Sequence, residues 1–219
     1  MPIKNNRAMR FAALSLLCVA AASLNFLSHL LVFNVLGFPV FFDTAFTVAV
    51  VFLAGPVPAL AVVLINWIHL FVIYGEIFPF AIVSVAEVIV IWRLKPDIRT
   101  AWPKPNRRTA SAEIASLLAT ITLLYTLVGV AASVLGGLVD HFYFTRMGNY
   151  REVFFLSDMG RFVLSESGIH PLAIDILSRF PVNMLDRAFV VFGGFFLALG
   201  INKLAKRPRF RKIGRLVMG

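Results

Sequence analysis

The chain has a single cysteine, Cys18, in 219 residues, so it cannot close an intramolecular disulfide or supply a thiolate metal cluster. Acidic residues are scarce, 11 against 21 basic ones, and charged residues reach only 15%, where soluble domains carry roughly 25%. The four histidines, His29, His69, His141 and His170, show no HExxH spacing, which leaves no metal site to nominate. There is no G-x-S-x-G elbow, no Walker A loop and no G-x-G-x-x-G turn, and no Ser/His/Asp set suggests itself. The chain therefore has no ATP or dinucleotide site of its own, no cofactor is expected, and no catalytic spacing marks it as an enzyme. Internal repeats and low-complexity tracts are also missing.

What the chain has in abundance is apolar sequence. Hydrophobic residues make up 59%, and the mean hydropathy is +0.85. Several windows exceed about 18 consecutive apolar residues, which is a membrane-span signal. The fold class expected is all-α: one polytopic membrane domain over residues 1–219, embedded in a lipid bilayer. The net charge of +10 could suggest nucleic acid, but its distribution does not. Basic residues gather at Lys4, Arg7 and Arg10, then in 93–108 (Arg93, Lys95, Arg99, Lys104, Arg107, Arg108), then in the tail from Lys203 to Arg215. Even numbers of hydrophobic spans separate these blocks, as the positive-inside rule requires if all three are cytoplasmic. Tail residues can also meet anionic headgroups. Residues 1–22 have the outline of a signal peptide, but the apolar run continues to about residue 36, so an uncleaved first span is expected.

Six spans are expected, at about 11–36, 39–54, 57–73, 77–92, 112–139 and 182–203, with both termini cytoplasmic. Residues 39–73 would run about 52 Å as one helix, too long for one ~30 Å crossing. Gly55-Pro56-Val57-Pro58 is the natural hairpin turn, because proline lacks a backbone donor and breaks a helix. Thr109 is a plausible cap for span 5, with Glu113 in its first turn. Loop 93–110 is cytoplasmic. Residues 140–181 form a long extracytoplasmic loop whose near-helical apolar spacing suggests one or two amphipathic helices, either a lid over a site or a passive interfacial segment.

Polar groups inside a bundle are expensive and therefore informative. Glu87 lies near the middle of span 4 in "AIVSVAEVIVIW", where it is protonated, paired with a basic neighbour such as Arg187, or in contact with a ligand or subunit. Asp43 is either an acid offsetting a helix dipole or a ligand-facing acceptor. Glu76 reads as a solvated turn residue. Asn25, Ser28 and His29 lie in the outer half of span 1, and Asn66, Trp67 and His69 approach the outer end of span 3. Small residues recur at helix-packing spacing: Ala8 and Ala12, Ala45 and Ala49, and Gly129, Ser133 and Gly137. Aromatics such as Phe41, Phe42, Trp67, Tyr74, Tyr143 and Tyr150 collect toward the outer side. An interfacial belt accounts for some of them, and a planar, partly aromatic ligand would account for them too.

Two segments carry a resemblance to a known family. "FPVFFDTAFTVAVVFLAGPVPALAVVLIN" resembles spans 2 and 3 of the substrate-binding S components of energy-coupling-factor vitamin transporters, through Asp43-Thr44, Gly55-Pro56 and Asn66. "FPVNMLDRAFVVFGGFFLALGINKL" resembles their last span, through Pro181, Asn183, Asp186 and Arg187. Arg187 stands where the family usually has lysine, and the Ala-xxx-Ala face of span 1 is reduced to Ala8 and Ala12. The resemblance implies a multi-pass protein of the bacterial cytoplasmic (inner) membrane that binds a small vitamin-like nutrient without catalysis. A separate transmembrane coupling subunit and ABC-type ATPases would drive transport, with Ala8 and Ala12 at the partner interface. The resemblance points to Asp43, Asn66, Asn183, Asp186 and Arg187 as substrate-binding residues, and the buried acid Glu87 and the outer aromatics Trp67 and Tyr143 are expected to join them. Two other readings stand beside it: a membrane sensor or regulatory subunit, and an intramembrane enzyme using Glu87, Asp186 and the histidines.

Overall fold

Apolar runs broken by Gly-Pro, Pro and charged turns give helices throughout the described residues, with no strand among them. The computed structural model describes residues 3–36, 43–74, 79–98, 110–146, 155–208 and 210–218. Helix α1 is Ile3–His29, extended by a π-helical turn, Leu30–Val35. It is followed by α2 Ala45–Ala54, α3 Pro56–Tyr74 and α4 Ala81–Leu94. Helix α5 is Ala110–Val139, and a second π-helical turn, Asp140–Arg146, continues it. Then come α6 Phe155–Ser165, α7 Pro171–Ala205 and α8 Arg211–Met218. Three segments, Arg7–Val32, Ser111–Tyr143 and Pro171–Ala205, are long and apolar enough to cross a membrane. Their outward faces keep residues such as Leu16, Leu27, Leu123, Phe189 and Phe196 exposed, as lipid contact requires and water would penalise.

Contact registers fix the helix directions. Helix α5 runs against α7, because Gly129 meets Met184 while Gly137 meets Ile176. Helices α2, α4 and α7 run together: Thr44 and Glu87 pair with Arg187, and Phe52 meets Phe195. Farther along, the carbonyl of Ile98, just beyond α4, accepts from Asn202. Helix α1 parallels α3, with Cys18 at Pro58 and Phe26 at His69. Helices α1, α2, α3, α4, α5 and α7 thus alternate in direction along the chain.

Helix α2 is the centre of the core. All its residues but Phe46 and Ala54 are buried, and it has only ten, about 15 Å, roughly half an apolar bilayer thickness. It ends at Gly55, whose φ of +90° is a conformation that side chains with a Cβ rarely adopt. Helix α3 starts at Pro56, the first-turn position where a missing N–H costs nothing. The hairpin break is therefore Gly55 alone, and Pro58 lies within the first turn of α3. The expected start of span 2, residues 39–42, lies outside the described residues.

The segment read as an outer loop with one or two amphipathic helices is helical over most of its described residues. Residues 140–146 continue α5, 155–165 form α6, and α7 begins at Pro171, eleven residues before the expected 182. His170 caps it, accepting the Leu172 N–H at 3.2 Å. Pro181 lies inside α7; it removes one backbone donor, and packing against α5 and α6 carries the helix through. Thr109, Glu76, Phe41, Phe42 and Tyr150 lie outside the described residues.

Close helix approach depends on missing side chains. A Cβ at Gly194 would stand 2.7 Å from the Ala45 carbonyl oxygen and 2.6 Å from Val48 Cγ1, and one at Gly137 would stand 2.6 Å from Ile176 Cα. Gly194→Ala should therefore push α7 off α2 and lower stability by about 1–3 kcal/mol. Gly200→Ala in the same helix, with nothing within 4 Å, should be neutral or gain up to about 1 kcal/mol. Thermal unfolding of both variants in one detergent checks the contrast, and equal melting temperatures would contradict it.

Candidate functional site

Because α2 is so short, its first residues stop halfway along their neighbours. Thr44 takes the N-cap position, but its hydroxyl makes no capping bond. Instead its Oγ1 accepts from Arg187 Nη1 at 2.6 Å, and Arg187 stands near the midpoint of the 35-residue α7. The open backbone donors at this buried helix start are capped from α1. Asn25 Oδ1 accepts the Phe46 N–H at 3.0 Å, and Asn25 Nδ2 donates to Thr47 Oγ1 at 2.8 Å. The backbone donor at Phe46 sets which way round the amide lies, since only oxygen can accept there. At the other end, the Lys95 ammonium donates to the carbonyls of Val51 and Phe52. Side chains from α1 and from the end of α4 thus satisfy terminal groups that every helix leaves open.

Arg187 Nη1 also donates to Glu87 Oε2 at 2.9 Å. Its Nε lies 3.4 Å from Asp186 Oδ2, an ion-pair distance without hydrogen-bond geometry. Asp43 and Asp186 lie within electrostatic reach of both Glu87 and Arg187. Three carboxylates and one guanidinium therefore share one buried region, with Glu87 1% and Arg187 5% exposed. Taking such charges out of water costs several kcal/mol each before pairing offsets it. The pairing is incomplete, since among the described residues Glu87 Oε1, Asp43 Oδ1 and Arg187 Nε have no hydrogen-bond partner. Carboxylate oxygens are in excess, and a group that donates hydrogen bonds would complete the set. Among the described residues, no three His, Cys, Asp or Glu side chains are placed to hold a metal ion.

The structure brings four of the expected site residues together here: Asp43, Glu87, Asp186 and Arg187. Thr44 and Asn25 join them. Asn66 is buried on α3, with its Oδ1 unpartnered, and it lies about as far from Gly55 along its helix as Thr44 does, about 15 Å. Trp67, next to it, is half-buried. Asn183 is buried between α7 and α5, donating to Ser133 Oγ at 3.4 Å. Tyr143 is not part of the cluster. It lines an apolar groove of about 300 Å³ with Ile82, Leu135, Leu138, Val139 and Phe142. Ile82 and Glu87 are about 140° apart around α4, so groove and carboxylates face different sides. Ala8 and Ala12 are exposed on α1, whereas Gly129, Ser133 and Gly137 serve packing against α7.

A second polar network, at the far end of α5, was not anticipated from the sequence. Arg179 donates through Nε and Nη2 to both oxygens of Asp140, the latter at 2.7 Å, and its guanidinium sits 4.5 Å from the Phe80 ring. Arg161 of α6 pairs with Asp175 and Asp140, and His141 Nδ1 lies 3.0 Å from Asp175 Oδ2. The network fastens α6 onto α5 and α7. The available signal was Asp175 and Arg179 at i, i+4, the spacing of a helical ion pair.

The central cluster makes an asymmetric prediction. Arg187→Leu leaves Glu87 and Asp186 buried without their guanidinium and should cost about 3–5 kcal/mol. Glu87→Gln should cost clearly less, because Asp186 still faces Arg187, and Asn25→Ala should cost about 1 kcal/mol through the lost cap. Melting temperatures of the three variants check this, and equal losses for Arg187→Leu and Glu87→Gln would contradict it.

No protein-family model, curated protein sequence or solved structure matches this chain, so the chemistry of the site rests on its own geometry.

Proposed function

We propose that the chain is a membrane-embedded binding subunit for a small nutrient, of the kind its hairpin and last helix resemble. It would bind its solute without catalysis and pass it on with a separate transmembrane coupling subunit and ATPases. One observation carries the reading: a half-length helix delivers Asp43 and Thr44 to Glu87, Asp186 and Arg187 in the middle of the bundle. Membrane proteins that hold solutes commonly place their sites at mid-depth, where discontinuous helices end, and ionisable groups at that depth mark function by default. The alternation of six helices supports a six-pass topology. That topology puts the N-terminal basic residues, the 93–108 block and the tail on one side, the cytoplasmic one by charge. The Asp140–Arg179 network then lies on the outer side, and α6 lies across it.

Binding should need no ATP. Purified full-length protein, screened by melting temperature against vitamins, nucleobases and related metabolites, should be stabilised by a small set of them. Native mass spectrometry of gently extracted protein should show a retained small molecule. A screen and a spectrum that both come back empty would remove the support for uptake.

A further inference from the structure

The central cluster has a charge pattern that selects among solutes. We infer that the ligand presents a protonated nitrogen group (ammonium, amidinium or guanidinium) to Glu87 and Asp43, an assignment that rests on the uptake reading. Acceptors outnumber donors here. Arg187 is the only cation in the set, and its Nη1 is already shared between Thr44 and Glu87 Oε2. Glu87 is 1% exposed, and among the described residues its second oxygen, Oε1, meets no donor; neither does Asp43 Oδ1. A carboxylate accepts only, so each unmet oxygen calls for an incoming N–H or O–H. With three acids to one base, a cationic donor fits better than a neutral one.

Three other cations among the described residues are engaged away from this cluster. Lys95 holds the carbonyls of Val51 and Phe52 at the opposite end of α2, and Arg161 and Arg179 are engaged with Asp140 and Asp175. Segments 37–42 and 75–78, which adjoin α2 and α4, contain no basic residue. A bare metal ion is a poor alternative, because the carboxylates do not converge on one point among the described residues and a guanidinium stands between them. An organic cation needs no such convergence: its N–H groups can reach separate oxygens.

Benzamidine, benzamide and benzoate carry a cationic, a neutral and an anionic group on one ring. Their effect on the melting temperature of the purified full chain at neutral pH tests the assignment. The amidinium should stabilise the protein, and its apparent affinity should fall at least tenfold in both Glu87→Gln and Asp43→Asn. Ligand-free melting of the two variants shows whether each is folded, and Asp43, the less buried of the pair, guards against a folding defect at Glu87. The assignment is overturned by stabilisation from benzamide or benzoate alone, by no effect from any of the three, or by an amidinium effect that survives both substitutions. The uptake reading falls only if the metabolite screen and the retained-ligand spectrum are empty as well.

Discussion

The guanidinium of Arg187 reaches the start of α2 at Thr44 and the carboxylate of Glu87 at the same time, and the arrangement of the other helices depends on that junction. A ten-residue helix has only a few internal hydrogen bonds and would be marginal alone. Here it is stable because it is enclosed: Asn25 caps its first turn, Lys95 its last carbonyls, and the bare backbone at Gly194 lets it lie directly against α7. Each of those supports comes from a different element. The short helix is thus the piece that ties α1, α4 and α7 into one bundle.

The two polar networks differ in their balance of charge. Around Asp140, both carboxylate oxygens receive Arg179, while Asp175 receives Arg161 and His141. That is a fastening: matched charges, at the end of the bundle, holding α6 to α5 and α7. Around Glu87 the acids outnumber the base and individual oxygens go unmet. Charge is matched at one level of the bundle and left unmatched at another, and the proposed binding role rests on that contrast. In a low-dielectric interior the difference matters more than it would at a surface.

Much of this was legible in the sequence, for identifiable reasons. Long apolar runs can only be helices in a membrane, and Gly55-Pro56 could only be a break. Asp43-Thr44 and Asp186-Arg187 stood out as polar pairs in apolar surroundings, and Glu87 as a lone acid whose partner could be named. Of their meetings across the fold, the pairing of Glu87 with Arg187 was one of the arrangements expected, and the contact of Thr44 with Arg187 was not. What stayed hidden depended on three-dimensional neighbours. Asn25 is one polar residue among several on α1, and nothing local says it caps another helix. Pro181 looks like a boundary, but a proline inside a packed helix breaks only its own hydrogen bond. The Asp140–Arg179 pair joins residues far apart in the sequence, and nothing local says that they meet. Tyr143 was grouped with the site by composition alone, and the pitch of α5 directs it to a separate groove.

Arg187 and Glu87 form a direct ion pair inside the bundle, at the buried start of a half-length helix, and the rest of the site is built around that pair. Solid-state NMR of the full chain in lipid bilayers, with labelled arginine and glutamate, measures it. A through-space correlation between the Glu87 carboxylate carbon and the Arg187 guanidinium nitrogens is expected, lost in Glu87→Gln. A spectrum in which Arg187 correlates only with Asp186, or with water, would contradict the pairing.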